Sequence, residues 1–496
     1  MHFETMRKKT NIATVGLVLL LVFTSCNKYL EENPDNRAEI NTVEKVAGLL
    51  VSAYPQRHYL FTETASDNVE DKTAALALNQ SQPYVDLYFW RDPSGSGNST
   101  PAEYWNACYA AIAAANHALK AIEDNDLGAK ADPYKGEALI ARAYAHHMLV
   151  TLFAPAYEIG EPNDGMGIPY VTEPETVVFK EYDRGTVAGV YQKIEEDLKE
   201  GLKLLKAGSW KVPKYHFNPQ AANAFAARFY LFKGDWDKVI EHVSAILPEN
   251  NFYENLRQYA GNMYNYTSDE HRQNYTKAEM PFNLLLANTY SVYHRSSGSG
   301  GNRYGFGEQV KNHYAGTTVF GAPFRYRLFS WGAPNYNPGK FNEYFHYTNV
   351  AQGIGYPYIM MPLFTVDEAL LNRAEAYIRK HDYARAIEDL NTFGRSRIVG
   401  YNQGTHGLTI AKAKTFTGKS DDEEALLEAL LDSKKRAFIW EGLRWMDILR
   451  HKITVKHNHI DATGTETFQE LPHGDVRRMF QLPQEVSLSG LPLNPR

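Results

Sequence analysis

The sequence has few cysteines and no excess of basic residues. Only two of its 496 residues are cysteines, Cys26 and Cys108, so at most one intramolecular disulfide can form and the fold depends on its core for stability. Lys and Arg together number 52 against 58 Asp and Glu, which gives a net charge of −6. Proteins that bind nucleic acid need surplus Lys and Arg to displace the counterions of the phosphates. The composition therefore argues against a nucleic-acid-binding protein.

The familiar sequence motifs of enzymes are also missing. The chain contains no GxSxG, HExxH or GxxxxGK motif and no GxGxxG after a strand. Histidines come closest to a metal-binding arrangement at His451, His457 and His459 and in the adjacent pair His146 and His147. We expect these to be solvated or core histidines rather than ligands. The sequence therefore predicts no catalytic residue, no metal site and no cofactor.

The pronounced apolar run near the N-terminus is too short to cross a bilayer comfortably. It covers residues 17–23, follows the basic residues 7–9 and precedes Thr24-Ser25-Cys26. This order is typical of an export signal, and small residues directly before a cysteine resemble the bacterial lipobox, in which the cysteine is acylated after cleavage. We therefore predict a signal peptide over 1–25 and lipidation of Cys26. An ordinary secretory signal with an incidental cysteine is the alternative.

The residues after the predicted cleavage point, 26–40, begin with a short polar stretch and predict a tether. Acyl chains on Cys26 would hold the protein on a membrane surface, since each buried CH₂ contributes about 0.8 kcal/mol. With Cys26 acylated, Cys108 would have no intramolecular partner. Met6 directly precedes the basic cluster, and we interpret it as the true start of the chain.

Helical periodicity dominates the rest of the sequence. Apolar residues recur at helical spacing, with little strand pattern, over the segments 101–123, 133–153, 184–206, 219–233, 235–247, 366–380, 383–394 and 421–450. Residues 225–246 and 372–393 also repeat each other, each with a Gly-Asp or His-Asp turn before an aromatic residue, Trp236 or Tyr383. This layout is typical of tetratricopeptide-type hairpins. The predicted fold is all-α dominated, with helical hairpins stacked into a scaffold.

The segment 250–360 departs from this pattern because it is rich in aromatic residues and glycine. We predict a long loop-rich region there and a second such loop at 80–100. Long loops in a compact protein are often functional, and tyrosine and tryptophan rings offer flat apolar faces on which sugars can stack. Most of the rings are expected to pack the loops onto the scaffold. The ligand-binding candidates are the rings beside Gly, Pro or Ser, where exposure is expected: Trp90, Tyr293, Tyr304, Trp331 and Tyr336.

Short motifs in a fixed order run along nearly the whole mature chain. The first half contains Tyr104-Trp105, Tyr109, Ile112 and Asn116, and then the helical segment 137–149. The second half contains the segment 368–377 (EALLNRAEAY) and the pattern formed by Glu441-Gly442, Arg444-Trp445, Asp447 and Arg450. Together these motifs resemble the SusD/RagB family, the outer-membrane glycan-binding lipoproteins of Bacteroidetes. Ser433 and Ala437 stand where the family usually has Glu.

The resemblance implies a lipid-anchored outer-membrane protein that faces the cell exterior. Such a protein binds a nutrient, most simply an oligosaccharide, and delivers it to a SusC-like TonB-dependent transporter without catalysing a reaction. The helix residues Glu441, Arg444 and Asp447 of this pattern are expected to form buried ion pairs and caps rather than a ligand site. The expected organisation is a SusD-like N-terminal region over 41–250 and a RagB/SusD C-terminal region over 251–496, loop-rich over 250–360 and helical over 361–496.

Two other functions remain open from the residues alone. The chain could be a peptide-binding or purely assembly-type tetratricopeptide scaffold. It could also be a glycan-active enzyme, which would need two carboxylates about 5–9.5 Å apart across a cleft. The sequence does not identify the ligand, because an aromatic residue in a loop indicates that a sugar can stack on it but not which sugar.

Overall fold

The structure is a computed structural model that describes residues 39–73, 82–93, 97, 99–177, 180–291, 302–330 and 332–496. The predicted signal peptide, Cys26, Tyr293 and Trp331 lie outside the described residues. The chain divides into a short N-terminal unit, Met1–Asn41, and one compact unit, Thr42–Arg496, to which the helices and strands below belong. In the part of the chain that the structure describes, no helix combines the length and the apolar character needed to cross a bilayer.

Helices make up most of the regular structure, which confirms an all-α dominated fold. The first half contains α1 (Val43–Leu50), α2 (Phe61–Ala65), α3 (Tyr84–Tyr88), α4 (Pro101–Asp124), α5 (Asp132–Phe153), α6 (Val187–Leu204), α7 (Pro219–Lys233) and α8 (Trp236–Ile246). The second half contains α9 (Phe252–Asn255), α10 (Asn262–Asn265), α11 (Ser268–Tyr275), α12 (Glu308–Ala315), α13 (Val366–Arg379), α14 (Tyr383–Arg395), α15 (Gln403–His406), α16 (Ile410–Thr417), α17 (Asp422–Ala437) and α18 (Leu443–Arg450). Side chains of Thr100, Thr186 and Asn218 cap α4, α6 and α7 by accepting hydrogen bonds from first-turn N–H groups.

The two repeated segments form matching helical hairpins, α7 with α8 and α13 with α14. In each hairpin the second helix begins after an aspartate, Asp235 or Asp382, whose side chain accepts a hydrogen bond from the backbone N–H three residues on. The residue before each aspartate has a positive φ, 73° at Gly234 and 57° at His381. The Gly-Asp and His-Asp turns are therefore the same left-handed turn, and α8 also packs on α13. This arrangement confirms the predicted tetratricopeptide-like hairpins.

The predicted helix 421–450 is two helices, α17 and α18, separated at Gly442. Gly442 has φ 77°, and a Cβ at this position would lie 2.5 Å from the ring of Tyr59. A larger residue is therefore excluded both by conformation and by space. The other predicted helices are present, with ends that differ from the prediction by only a few residues.

The segment 250–360 contains regular β-structure that the sequence prediction missed. Strands β2 (Asn283–Tyr290), β6 (Glu343–Asn349) and β7 (Ile354–Thr365) form an antiparallel sheet in the order β2-β7-β6. The remaining described strands form three two-stranded sheets. These are β1 (Glu70–Asp71) with β3 (Tyr304–Gly305), β4 (Phe329–Ser330) with β5 (Tyr336–Asn337), and β8 (Val455–Ile460) with β9 (Glu466–Leu471). The sheet of β2, β7 and β6 positions the candidate site.

Buried ion pairs connect distant parts of the compact unit. Glu441 Oε1 lies 3.1 Å from Arg257 Nη1 and 2.7 Å from Lys340 Nζ, and all three side chains are about 1% exposed. Arg444 pairs with Asp67, and Asp447 pairs with Lys434 and Arg450. The expectation that Glu441, Arg444 and Asp447 form buried ion pairs is confirmed. Such pairs make the removal of one partner costly, because the other charge stays buried.

Candidate functional site

Four side chains form a row across one face of the three-stranded sheet. Tyr290 of β2 lies opposite Tyr358 of β7, and Tyr358 lies opposite Tyr344 of β6. Arg57 forms an isolated β-bridge with Tyr290 on the other side of β2. Because residues directly opposite each other project to the same face of a sheet, Arg57, Tyr290, Tyr358 and Tyr344 share one surface.

The rings of this row are in contact with one another. The guanidinium carbon of Arg57 lies 4.8 Å from the ring centroid of Tyr290. Ring centroids are 5.7 Å apart for Tyr290 and Tyr358 and 6.1 Å apart for Tyr358 and Tyr344. Tyr356, two residues before Tyr358, extends the surface, with its ring 5.2 Å from Tyr290. We call Tyr290, Tyr344, Tyr356 and Tyr358 the tyrosine face; Tyr344 is 41% and Tyr356 46% exposed.

The alternation of side chains along the strands separates the tyrosine face, on which Tyr290 is 9% exposed, from the buried face of the sheet. Successive residues of a strand point to opposite faces, and Thr289 and Ile359, on the other face, are almost fully buried. Nearer the β6–β7 turn that other face is also exposed, at Phe345 and Tyr347, whose rings contact each other at 4.9 Å. The hairpin thus carries aromatic rings on both faces, and only one of these faces continues into the tyrosine row.

Polar groups accompany the rings. Burial and the neighbouring phenols of Tyr358 and Tyr215 raise the pKa of Tyr344, so its hydroxyl is protonated at neutral pH. This hydroxyl donates a hydrogen bond to Oδ1 of Asn288, an exposed residue of β2 on the same face. The face therefore offers hydrogen-bond donors and acceptors beside apolar ring surface.

A groove of about 430 Å³ adjoins the row at Arg57. Its polar lining includes Gln56, Arg57, Glu103 and Asn106, and small alanines of α4 line it as well. Arg57 Nε lies 3.3 Å from Glu103 Oε2. The guanidinium, carboxylate and amide groups of these side chains are planar, and each presents two or more atoms that can form hydrogen bonds with hydroxyls. Glu103 is the only carboxylate among the described residues that line this groove, whereas glycoside hydrolysis needs two.

A buried histidine–serine pair lies beside the row. His58 Nε2 is 2.8 Å from Ser291 Oγ, and the backbone N–H of Leu60 donates to His58 Nδ1 at 3.1 Å. Burial lowers the pKa of His58 to about 3, so the ring is neutral, and because Nδ1 accepts a hydrogen bond its proton is on Nε2. In this tautomer His58 donates to Ser291 and cannot take its proton. The pair links the segment before α2 to the end of β2.

Two of the predicted ligand-binding rings, Trp90 and Tyr304, are buried. They are 6% and 2% exposed and lie at the two ends of a stack in the order Trp90, His457, Tyr88, Tyr304, with centroid distances of 4.5, 4.2 and 4.1 Å. Trp90 Nε1 also donates to the carbonyl of Ala65 at 2.9 Å. The expectation that both rings are exposed is wrong, because β8 places His457 against the loop and covers Trp90.

Trp90→Phe tests this placement. The substitution keeps an aromatic ring in the stack but removes the indole N–H and leaves the carbonyl of Ala65 without its partner. We expect the free energy of unfolding to fall by about 1–2 kcal/mol, measured by urea denaturation, with ligand binding unchanged. A variant that is as stable as the wild type but loses its ligand would contradict the structural role of Trp90.

The third described candidate, Tyr336, is 8% exposed. Its hydroxyl donates to Glu308 Oε2 at 2.6 Å, and the ammonium of Lys311 lies 5.0 Å from its ring centroid. The expected exposure is wrong here as well, because pairing of β5 with β4 and contact with α12 cover the ring. Tyr293 and Trp331 lie outside the described residues, and their role stays a prediction.

One cluster of the described residues has metal-ligand spacing, Glu375, Asp447 and His451. Lys434 Nζ lies 2.8 Å from Asp447 Oδ1, and Arg450 Nη1 lies 2.7 Å from Glu375 Oε1. These two buried cations already neutralise the carboxylates, and a divalent ion would be repelled by them. The donor set therefore fits an ion-pair network rather than a metal site.

Sequence reasoning missed the tyrosine face although a signal was present. Aromatic residues are dense over 344–347 and 356–358, which favours strands, and Gly353 and Gly355 lie near the turn between them. Since aromatic residues occupy both faces, the apolar-polar alternation of a typical surface strand is lacking. Which rings meet depends on the strand register, and that is visible only in the fold.

Comparison with known proteins gives a family match over part of the chain and a fold over most of it. Residues 28–231 match the SusD-like family model described as "Starch-binding associating with outer membrane". No curated protein matches the sequence significantly. Solved structures with the same fold include a SusD superfamily protein from Bacteroides thetaiotaomicron (18% identity, 92% of this chain and 100% of that chain, TM-score 0.63) and a SusD-like carbohydrate binding protein from Bacteroides vulgatus (16%, 90% and 96%, TM-score 0.57).

The fold and the site define a helical-hairpin scaffold that carries a separate sheet with an exposed aromatic face. Residues 28–231 match the SusD-like family, and the chain shares its fold with solved SusD superfamily structures over most of its length. This confirms the resemblance of its motifs.

Proposed function

We propose that the protein is a cell-surface nutrient-binding lipoprotein. It captures an oligosaccharide on the tyrosine face and delivers it to a SusC-like TonB-dependent transporter in the outer membrane, with Cys26 as the lipid anchor. The observation that carries the proposal is the row formed by Arg57, Tyr290, Tyr358 and Tyr344. The family description, starch binding in association with the outer membrane, supports it.

The chemistry of the row suits a sugar. A pyranose ring has a flat C–H face that packs on an aromatic ring and a rim of hydroxyls that needs hydrogen-bond partners. Tyr344 and Tyr356 supply exposed ring surface, and Arg57, Asn288 and the phenol hydroxyls supply the polar partners. Several rings across the sheet can contact successive units of one chain, so an oligosaccharide should bind more tightly than a monosaccharide.

A binding role without catalysis fits the same groups. Glu103 in the adjoining groove is paired with Arg57. His58 carries its proton on Nε2, the nitrogen that faces Ser291, and therefore cannot act as a general base toward that hydroxyl. A protein that delivers its ligand to a transporter must bind and release the ligand without cleaving it. The groups near the tyrosine face are suited to binding.

A glycan screen and a co-purification test the two halves of this proposal. The purified full-length protein is run through native gels that contain amylopectin, xyloglucan, galactomannan or yeast mannan, and retardation by at least one of them is expected. Affinity capture of the protein from detergent-solubilised outer membranes is expected to bring down a TonB-dependent barrel. If every glycan fails while a peptide library is retained, the peptide-binding alternative replaces glycan capture; capture without a barrel overturns the delivery role.

A further inference from the structure

Arg57 and Glu103 lie where the tyrosine face meets the groove. Arg57 Nε is 3.3 Å from Glu103 Oε2, and Arg57 Nη1 donates to the carbonyl of Gln56 at 3.1 Å. The remaining nitrogen, Nη2, donates to no residue that the structure describes. The side chains of Arg57 and Glu103 are 28% and 30% exposed, so a ligand in the groove can reach both of them.

Two adjacent hydroxyls of a sugar need a donor and an acceptor placed side by side. Each hydroxyl donates one hydrogen bond and accepts others, whereas a guanidinium only donates and a carboxylate only accepts. Arg57 and Glu103 present these complementary groups within one ion pair. Hydrogen bonds to charged groups are also the stronger ones. Exposed amides of Gln56 and Asn106 stand in the same groove and can engage further hydroxyls.

Building on the proposed function, we propose that Arg57 and Glu103 determine the specificity of the tyrosine face, by selecting a neutral sugar unit that presents two adjacent free hydroxyls. The charge of Arg57 is balanced by Glu103, and Arg57 is the only cation among the described residues that line the groove. A uronate or sulfate group would therefore be repelled by the carboxylate of Glu103 without an unpaired cation to bind it. A sugar substituted at these hydroxyls leaves the polar pair without partners, which a site built for hydroxyls rejects strongly.

The test compares variants of the pair on matched ligands. Probes are the four neutral polysaccharides named above, the same polysaccharides after O-methylation, and two acidic ones, polygalacturonate and chondroitin sulfate. Variants are Arg57→Gln, Arg57→Lys and Glu103→Gln in the full-length protein. Asp124→Asn is the matched control, because Asp124 is an exposed ion-pair partner at the far end of the same helix as Glu103. Circular dichroism confirms that each variant is folded.

We expect at least one unmodified neutral polysaccharide to bind the wild-type protein. The O-methylated form of that polysaccharide and the two acidic polysaccharides are expected not to bind it. Arg57→Gln and Glu103→Gln should each weaken binding about tenfold or more, the loss of one charge-assisted hydrogen bond. Arg57→Lys should fail to restore binding because it lacks the planar fork, and Asp124→Asn should bind normally. Retention of the acidic polysaccharides, or wild-type binding by Glu103→Gln or Arg57→Lys, overturns the inference.

The outcome also separates this inference from the proposed function. If variants of Tyr344 and Tyr356 lose the glycan while those of Arg57 and Glu103 keep it, glycan capture stands and the specificity pair is wrong. If no polysaccharide binds the wild type, both fail together. If binding is lost only in the Arg57 and Glu103 variants, the groove is the site and the tyrosine face is not.

Discussion

The double substitution Tyr344→Ala and Tyr356→Ala is expected to weaken glycan binding at least about 30-fold. These two rings are the most exposed of the tyrosine face, and each loses a stacking contact of about 1–1.5 kcal/mol with the sugar, which together corresponds to a factor of about 30–150 in affinity. Titration calorimetry with a polysaccharide that the wild type retains measures the effect. Both side chains lie on a hairpin that projects beyond the buried part of the sheet, so the variant should stay folded.

The opposite face of the same hairpin supplies the control. Phe345→Ala with Tyr347→Ala removes two rings of similar exposure from neighbouring positions of β6. Their side chains point away from the tyrosine face, because Phe345 is next in sequence to Tyr344, and Tyr347 is next to His346, which lies opposite Tyr356. Affinity for the glycan is expected to stay within a factor of about two. Equal losses in the two double variants would refute the assignment of the site to one face.

Glu441→Gln is expected to lower the free energy of unfolding by about 3–5 kcal/mol. Glu441 is the shared partner of Arg257, Lys340 and the hydroxyl of Tyr275, all of them buried. The neutral amide leaves two cations in the interior without a counter-charge. Equilibrium denaturation in urea, followed by circular dichroism, measures the change.

The pH dependence gives this prediction a second readout. Burial alone would raise the pKa of Glu441, but Arg257 and Lys340 outweigh burial and lower it below its ordinary value of 4.5. A lowered pKa in the folded state stabilises the protein above pH 4.5, and this contribution is lost as the pH falls through the folded-state pKa. The gap in stability between wild type and Glu441→Gln should therefore be widest near neutral pH and narrow in acid. A gap that does not vary with pH would show that shape, not charge, accounts for the loss.

The helical scaffold was predictable because its determinants are local. Apolar spacing and capping residues such as Thr186, Asn218 and Asp235 act within one or two turns of the residues that they affect. The break at Gly442 was missed because the sequence does not show that the ring of Tyr59 occupies the space beside it. The ion pairs of Glu441 and Arg444 were expected only from the resemblance to the family, and their partners Arg257 and Asp67 are far away in sequence.

The candidate site was the part that the sequence predicted least well. Trp90, Tyr304 and Tyr336 were selected because glycine, proline or serine stands beside them, but neighbours in sequence do not decide exposure. Trp90 is covered by His457 from β8, and Tyr336 is held by Glu308 of α12. In each case the covering residue comes from another element.

By itself the sequence determined the all-α dominated scaffold, the repeated hairpins and the resemblance to the SusD/RagB family, since these depend on short-range periodicity and on motifs that can be matched one by one. Only the tertiary structure decided which aromatic rings face outward. Tyr344 and Tyr358 belong to one hairpin, whereas Tyr290 is distant in sequence, and the three become neighbours through the register of three antiparallel strands. Strand pairing is a long-range contact, and a shift of one residue would have turned these rings to the other face of the sheet.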